Sequence, residues 1–117
     1  MEFIQTVKVD VLDSDKYRTT INEIKKLELN LSVSGRTLVP VGVQNQAVPI
    51  DGIVMGNVLI FQSESALKIK INPIGLNSTW QTIHPGCTSV IHVEYDSVFV
   101  RNDTGSIGYL FYFCAGD

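Results

Sequence analysis

The stretch that decides the fold is residues 87–113, which read CTSVIHVEYDSVFVRNDTGSIGYLFYF. On both sides of its centre, β-branched and aromatic residues dominate, and these residue types favour strands on a half-buried surface. The centre, residues 101–106, contains Asn, Asp and Gly, which accept the backbone conformations of a chain reversal. The stretch therefore predicts two long strands folded on each other around this turn.

Shorter apolar runs, separated by turn residues, predict further strands in the rest of the chain. Val7, Val9 and Val11 alternate with mostly polar neighbours, which is the period of a strand with one wet face. Prolines and glycines divide residues 37–57, so we expect short strands joined by loops there. The predicted strands are 7–11, 27–33 (ending in a turn at 34–36), 38–43, 50–54, 57–62, 67–72 and 80–83.

One segment near the N-terminus has a helical interpretation. Four apolar residues recur at helical spacing behind a candidate cap at Ser14 or Asp15, whereas Thr19 and Thr20 disfavour a helix. We predict one short helix here, with an irregular edge strand as the alternative. The four apolar residues are Tyr17, Ile21, Ile24 and Leu27.

The number and spacing of the strands predict the fold class. Eight or nine short strands within 117 residues are typical of a β-sandwich rather than of alternating strands and helices. We therefore predict an all-β chain that forms one β-sandwich or jelly-roll-like domain over residues 1–117. Within it, residues 1–33 are expected to form an N-terminal docking or edge-strand segment, because their pattern is ambiguous and stands apart from the later strands.

The composition indicates that part of the surface is covered by a partner. Hydrophobic residues make up 44% of the chain and charged residues 18%. A chain with so few charges has either a large core or an apolar surface that another protein covers. We favour the second interpretation, in which the partners include copies of the chain itself.

Charge and hydropathy narrow the classes of partner. The formal net charge is −3, and the basic residues form no cluster larger than the pairs Lys25 with Lys26 and Lys68 with Lys70. A direct nucleic-acid ligand is therefore not expected. No run approaches the ~18 apolar residues of a membrane span, and the first residues lack a secretory signal pattern. We expect synthesis in the cytoplasm and no membrane partner.

The two cysteines predict neither a zinc site nor a disulfide framework. Cys87 and Cys114 lack the accompanying histidines of a zinc-binding pattern. We predict two small buried thiols in a reducing compartment.

One row of polar residues has the spacing from which a metal site could be built. His92, Glu94 and Asp96 share one face of a predicted strand, and His84 could supply a fourth group. A small cupin-like metal enzyme is therefore one alternative. The same row is typical of the wet face of any strand, and we favour that interpretation. We predict no enzyme activity, no catalytic or metal-binding residue and no cofactor.

Aromatic residues supply the candidate ligand-binding or interface positions. Trp80 is the one tryptophan and is flanked by small polar residues. Lectin-like sites hold sugars with such an arrangement, although a tryptophan more often lies in a core or an interface. Together with Tyr109 and Tyr112, it forms the set of candidate ligand or interface residues. A carbohydrate-binding or receptor-binding module is the second alternative.

Residues 50–113 combine several strand and turn motifs. They are GNVLIFQS at 56–63, LKIKI at 67–71, the Pro85–Gly86 turn, and YDSVFVRN at 95–102 followed by GYLFYF at 108–113. The combination resembles small bacteriophage virion proteins. The resemblance implies a compact β-sandwich that serves as a capsid decoration or cement protein, a fibre component or a tail accessory protein. It also implies location in the virion, capsid or tail proteins as partners, and a homo-oligomer such as a trimer.

Overall fold

The computed structural model describes residues 2–12, 18–28, 31–73 and 79–117, and in these residues it contains nine strands and no helix. The prediction of an all-β chain is confirmed. That part of the chain contains no helix that could cross a membrane. The strands are β1 (Glu2–Leu12), β2 (Arg18–Glu28), β3 (Leu31–Val39), β4 (Gln46–Ala47), β5 (Gly56–Gln62), β6 (Lys68–Pro73), β7 (Gln81–Thr82), β8 (Ser89–Arg101) and β9 (Gly108–Gly116).

The first two strands form a two-stranded antiparallel sheet of their own. Their register is continuous from Glu2 opposite Glu28 to Leu12 opposite Arg18. The predicted helix is wrong, because Ile21, Ile24 and Leu27 lie in β2, while Tyr17 falls outside the described residues. Full-length pairing with β1 supplies hydrogen bonds that outweigh the helical spacing of these residues. A docking role for residues 1–33 stays a prediction.

The other seven strands form one antiparallel sheet in the order β3-β9-β5-β8-β6-β7, with β4 paired to β8. The predicted hairpin is wrong, since in the described residues β8 and β9 both pair with β5, which lies between them. β5 suits this central place because both of its faces are apolar: Val58, Leu59 and Phe61 are all buried. Residues 102–107 therefore form a crossing connection rather than a hairpin turn.

The sheet folds over because β8 changes partners midway. Residues 89–95 of β8 pair with β5, whereas residues 95–101 pair with β6. Both registers shift by one residue near the change, as a β-bulge requires. As a result, Tyr95 and Val98 both enter the same core although they lie three residues apart. Bulged strands of this kind carry a sheet around the corner of a sandwich.

The folded sheet has two layers, and this arrangement is compatible with the predicted β-sandwich. In the described part of the chain, the sheet does not close into a barrel. The first layer contains β3, β9, β5 and the first half of β8; the second contains β4, β6, β7 and the second half of β8. Leu67, beside β6, lies 2.9 Å from where a Cβ on Gly108 of β9 would sit. The Gln46 Nε2 of β4 donates to the Leu38 carbonyl of β3 over 2.9 Å. The two layers therefore meet directly.

The core lies between the layers and takes residues from both. Each fully buried aliphatic or aromatic side chain contributes about 1.5–3 kcal/mol on burial. Loop residues complete the core, since Val48, Ile53 and Ile83 are buried beside the strands. The buried strand residues of this cluster are Val39, Leu59, Phe61, Ile69, Tyr95, Val98, Val100, Leu110 and Cys114.

A buried asparagine fastens the end of β8 to the end of β3. Asn102 is fully buried, and its Nδ2 donates to the carbonyls of Val39 (2.9 Å) and Ser106 (2.8 Å). Its Oδ1 accepts from the Thr104 N–H at 3.0 Å and from the Thr104 hydroxyl at 2.7 Å. Its backbone N–H donates to the Val43 carbonyl over 2.9 Å. One side chain thus fixes the 102–107 connection and joins the two layers.

The predicted strands 57–62, 67–72 and 80–83 correspond to β5, β6 and β7. Between residues 34 and 54, by contrast, the predicted boundaries of the strands are wrong. Residues 34–36 continue β3 instead of turning, because β9 pairs with β3 along its whole length. Strand 38–43 stops at Val39, before Pro40, and residues 50–54 form no strand. Gly52 turns the chain there with a φ of +89°.

Candidate protein-binding surface

The outer side of the first layer carries an apolar surface that we call the aromatic face. Cross-strand register brings its residues together: Leu38 is opposite Tyr109, Phe113 is opposite Ile60, and Ile60 is opposite Val90. Four of its side chains are exposed: Leu38 (46%), Tyr109 (41%), Phe111 (44%) and Val90 (38%). The aromatic face consists of Arg36, Leu38, Ile60, Val90, Tyr109, Phe111 and Phe113.

The sequence of β9 explains why this surface is apolar. Leu110 and Cys114 point into the core, so the alternating residues of the strand face outward. Those outward residues include Tyr109, Phe111 and Phe113, where a strand with one wet face would carry polar side chains. The missed signal is therefore the absence of alternation in GYLFYF. A strand that is apolar on both faces needs a cover on both, and the larger of the two clusters of buried residues covers only one.

The centre of the aromatic face is already packed. Val58 and Ala115 are fully buried on this side of the sheet, and the half-buried side chains of Ile60 and Phe113 pack against them. The register places Val58 opposite Ala115 and Ile60 opposite Phe113. This small cluster supports the exposed aromatic residues, so a partner would meet a preformed surface.

One cation lies on the aromatic face. The guanidinium carbon of Arg36 is 4.3 Å from the centre of the Tyr109 ring and 5.9 Å from that of Phe111. A cation over an exposed aromatic ring contributes about 0.5–1 kcal/mol. The Arg36 guanidinium thus lies over β9, and its alkyl chain adds to the apolar surface.

An open cleft borders the aromatic face. Its volume is about 330 Å³, and Ile60, Phe111 and Phe113 form apolar parts of its lining. Polar groups line it as well, including Gln62 and Thr88, whose side chains share a hydrogen bond of 3.1 Å. Most ligand pockets are apolar recesses with a few polar groups. Here the cleft could accept one side chain of a partner at the margin of the aromatic face.

The three candidate aromatic residues do not form one site. Tyr109 lies on the aromatic face, whereas Tyr112, three residues later on β9, lies on the opposite face, partly buried against the core. Burial raises the pKa of the Tyr112 phenol. Trp80 precedes β7, the strand at the opposite edge of the sheet from β3. Lys70 Nζ lies 4.9 Å from the centre of the Trp80 ring and 5.2 Å from that of the Phe99 ring.

The four residues of the metal-site alternative are all exposed. Asp96 accepts a hydrogen bond from Asn72 Nδ2 at 3.3 Å. His84 lies in the turn region after β7, while His92 and Glu94 lie on β8. The structure does not gather them, and the residues it describes contain no group of three or more His, Cys, Asp or Glu side chains that could hold a metal ion.

The two thiols differ in exposure. Both cysteines are free, but Cys114 is buried and Cys87 is exposed, so the prediction of two buried thiols is right for Cys114 and wrong for Cys87. Cys87 follows the exposed Pro85–Gly86 turn and lies outside the strands. Burial raises the pKa of the Cys114 thiol, and burial likewise raises the pKa of Tyr95 beside it. Tyr95 donates its hydroxyl to the Val58 carbonyl over 2.5 Å.

The difference between the thiols predicts selective labelling. We expect an aromatic disulfide reagent at neutral pH to modify Cys87 rapidly and Cys114 only after unfolding, because the buried thiol has a raised pKa and little contact with solvent. The absorbance of the thiolate released from the reagent measures how many cysteines have reacted. A Cys87→Ser variant is the control and should show no rapid phase. Rapid labelling in that variant would contradict the buried position of Cys114.

Comparison with known proteins gives no match: no protein-family model, no curated protein and no solved structure is similar to the chain. What the chain does must therefore be inferred from its own residues, and the aromatic face is the feature on which that inference depends.

Proposed function

We propose that the chain is a non-enzymatic structural component of a virus particle that acts by binding protein through its aromatic face. Its role would be that of a capsid decoration or cement protein, a fibre component or a tail accessory protein. The observation that carries the proposal is the set of exposed apolar side chains on β3, β9 and β8, which the half-buried Ile60 of β5 connects across the sheet.

The residue types on the aromatic face favour a protein partner. Tyr, Phe and Arg are enriched in the buried centres of protein interfaces, where charged residues other than Arg are depleted. Tyr109, Phe111 and Arg36 provide this combination next to one another. Exposed apolar side chains that are contiguous, rather than scattered singly, mark interaction sites. The chain also has few charges, 18% of its residues, to keep such a surface in water.

The assignment to a virus particle depends on the resemblance of residues 50–113 to small bacteriophage virion proteins. The motifs of that resemblance coincide with β5, β6, β8 and β9, which contribute most of the core and much of the aromatic face. A capsid or tail protein, or another copy of the chain, would then cover the aromatic face, and the protein would be located in the virion after synthesis in the host cytoplasm.

The carbohydrate-binding alternative has less support from the positions of the aromatic rings. A sugar stacks on an open ring face, but Arg36 lies over Tyr109 and Lys70 lies close to Trp80. Tyr112 is partly buried on the core side of β9. A protein partner can bind at the same rings without displacing Arg36, because it can pack against the guanidinium and its alkyl chain.

The test is incorporation of a charged variant into particles. We expect Phe111→Lys to fold normally, because Phe111 is exposed, and to bind particles at least about tenfold more weakly, because a buried lysine would replace an aromatic anchor. Particles of the virus that encodes the chain would be purified on a density gradient, and the chain would be quantified in them by mass spectrometry.

The matched control is Val54→Lys, which places the same charge at an apolar residue that is 81% exposed and lies outside the aromatic face. It should be incorporated like the wild type. Absence of the wild-type chain from the particles, or equal incorporation of Phe111→Lys, would contradict the proposal.

A further inference from the structure

We infer that the outer edge of β3 is a self-association site, at which a second copy of this chain pairs its own β3 in antiparallel orientation across a two-fold axis. The inference rests on the proposed assembly function for its biological use, and it adds the partner, the element and the register. The two seven-stranded sheets would become continuous through the pair of β3 strands.

β3 has the position and the length that strand pairing requires. It is the terminal strand of the sheet, hydrogen-bonded to β9 on one side, and nine residues long. Its other side pairs with no strand in the described part of the chain and presents its backbone donors and acceptors over about 30 Å. A second copy offers the same donors and acceptors in reverse order, so an antiparallel pair is self-complementary. The opposite edge of the sheet, β7, has two residues and offers no comparable ladder.

This edge of β3 lacks the usual protection against pairing with another strand. Edge strands are commonly blocked by proline, by a bulge or by charged side chains. β3 contains no proline, and its register with β9 runs without a shift from Leu31 to Val39. Its one charged residue is Arg36, and the guanidinium lies over Tyr109 of the neighbouring strand, on the side away from the edge.

The contacts that β3 already makes determine the register of the two β3 strands. Gln46 Nε2 already donates to the Leu38 carbonyl, so the last residues of β3 are covered from the second layer. The stretch that remains is 31–37, and its centre is Ser34. A two-fold axis through Ser34 places Ser32 opposite Arg36 of the second copy, and it does so twice by symmetry. Residues directly opposite have Cβ atoms about 4.5–5.5 Å apart.

The symmetry of the pair determines where the two aromatic faces lie. A two-fold axis perpendicular to the sheet keeps each side of the sheet on the same side in both copies. The two aromatic faces, which begin at Arg36 and Leu38 of β3, would therefore lie next to each other on one surface of the dimer. The dimer would offer a capsid or tail protein twice the apolar surface without covering it.

The expected affinity is modest. The paired stretch, residues 31–37, is about 23 Å long, and a contact along one strand of that length buries less than the ~800 Å² per partner of a standard interface. We therefore expect a dissociation constant of roughly tens to hundreds of micromolar for the isolated chain. On a particle, neighbouring copies are held at a high local concentration, and this contact would suffice.

Opposite charges at Ser32 test the register. Ser32 is exposed, and Arg36 of the same strand is about 13 Å away from it along the strand, too far for a contact within one copy. Ser32→Glu should strengthen dimerisation by roughly three- to tenfold, because the exposed Arg36 guanidinium of the second copy can turn from its own Tyr109 ring to the new carboxylate opposite it. Ser32→Lys should weaken dimerisation by a similar factor, because it places a like charge opposite Arg36. Sedimentation equilibrium of the isolated chain at low salt measures both dissociation constants.

The control is the same pair of charges on the other edge, Gln81→Glu and Gln81→Lys, which should leave dimerisation unchanged. A wild-type chain that stays monomeric up to about 500 µM would overturn the inference, since that exceeds the range expected for a strand-edge contact. The inference would also be overturned if the dissociation constant changed in the same direction for both Ser32 variants or did not change. Equal changes of the dissociation constant in the Gln81 variants would overturn it as well. The particle test with Phe111→Lys is separate, so either proposal can fail while the other stands.

Discussion

Gly56→Ala is expected to lower the free energy of unfolding by about 3 kcal/mol or more, one of the two largest effects we expect from a single substitution. Gly56 is the first residue of β5 and is buried. A Cβ at this position would overlap the ring of Tyr95, which is itself fully buried at the bend of β8. The ring cannot move aside, because its hydroxyl is bonded to the Val58 carbonyl.

Urea denaturation followed by tryptophan fluorescence would measure the loss. Gly52→Ala is the matched control: its φ is +89° but no atom lies near its added Cβ, so we expect a cost of about 1 kcal/mol from backbone strain alone. In a Tyr95→Leu background, the additional cost of Gly56→Ala should shrink, because the overlapping ring atoms are gone. Equal costs for Gly56→Ala and Gly52→Ala would contradict the proposed contact.

Asn102→Ala is expected to lower the free energy of unfolding by about 3 kcal/mol. The substitution removes the donors to Val39 and Ser106 and the acceptor for Thr104, and it leaves those partners without their buried bonds. Each buried polar group left without a partner costs about 1–3 kcal/mol. The loss also detaches the end of β3 from the end of β8.

Chemical denaturation gives the size of the loss, and amide hydrogen exchange gives its location. We expect faster exchange of the Gly42 and Asn102 amides, which bond across this connection. Gln44→Ala is the control nearby, since the exposed Gln44 side chain bonds Asp103 and the Gly42 carbonyl at the surface and should cost less than about 1 kcal/mol. A cost for Asn102→Ala no larger than that of the control would show that the buried bonds add little.

Strand type was predictable from the sequence, whereas strand partners were not. The alternation in residues 67–72 and the compact apolar run at 57–62 gave β6 and β5 nearly at their observed bounds. The pairing of β8 with β9 was wrong, because a strand inserted from elsewhere in the chain leaves no local signal in the turn. The helix was wrong for a related reason: full-length pairing with β1 decides the state of β2.

The candidate surface was predictable only in part. Tyr109 was chosen for its residue type, and it does lie on the aromatic face. Leu38 and Val90 gave no signal, because they join Tyr109 only through register across β9 and β5. Phe111 was readable in retrospect, since GYLFYF does not alternate. Trp80 and Tyr112 could not be separated from Tyr109 before the order of the strands and the faces of β9 were known.

The change of partners along β8 has a consequence for how the protein unfolds. Since β8 pairs with β5 in the first layer and with β6 in the second, displacing β8 removes hydrogen bonds from both layers. The seven strands therefore form one cooperative unit, and partial opening that would expose core residues is suppressed until the whole sheet opens. For a protein that presents an apolar surface to its neighbours, this cooperativity protects against aggregation, because the adhesive side chains stay confined to one fixed patch.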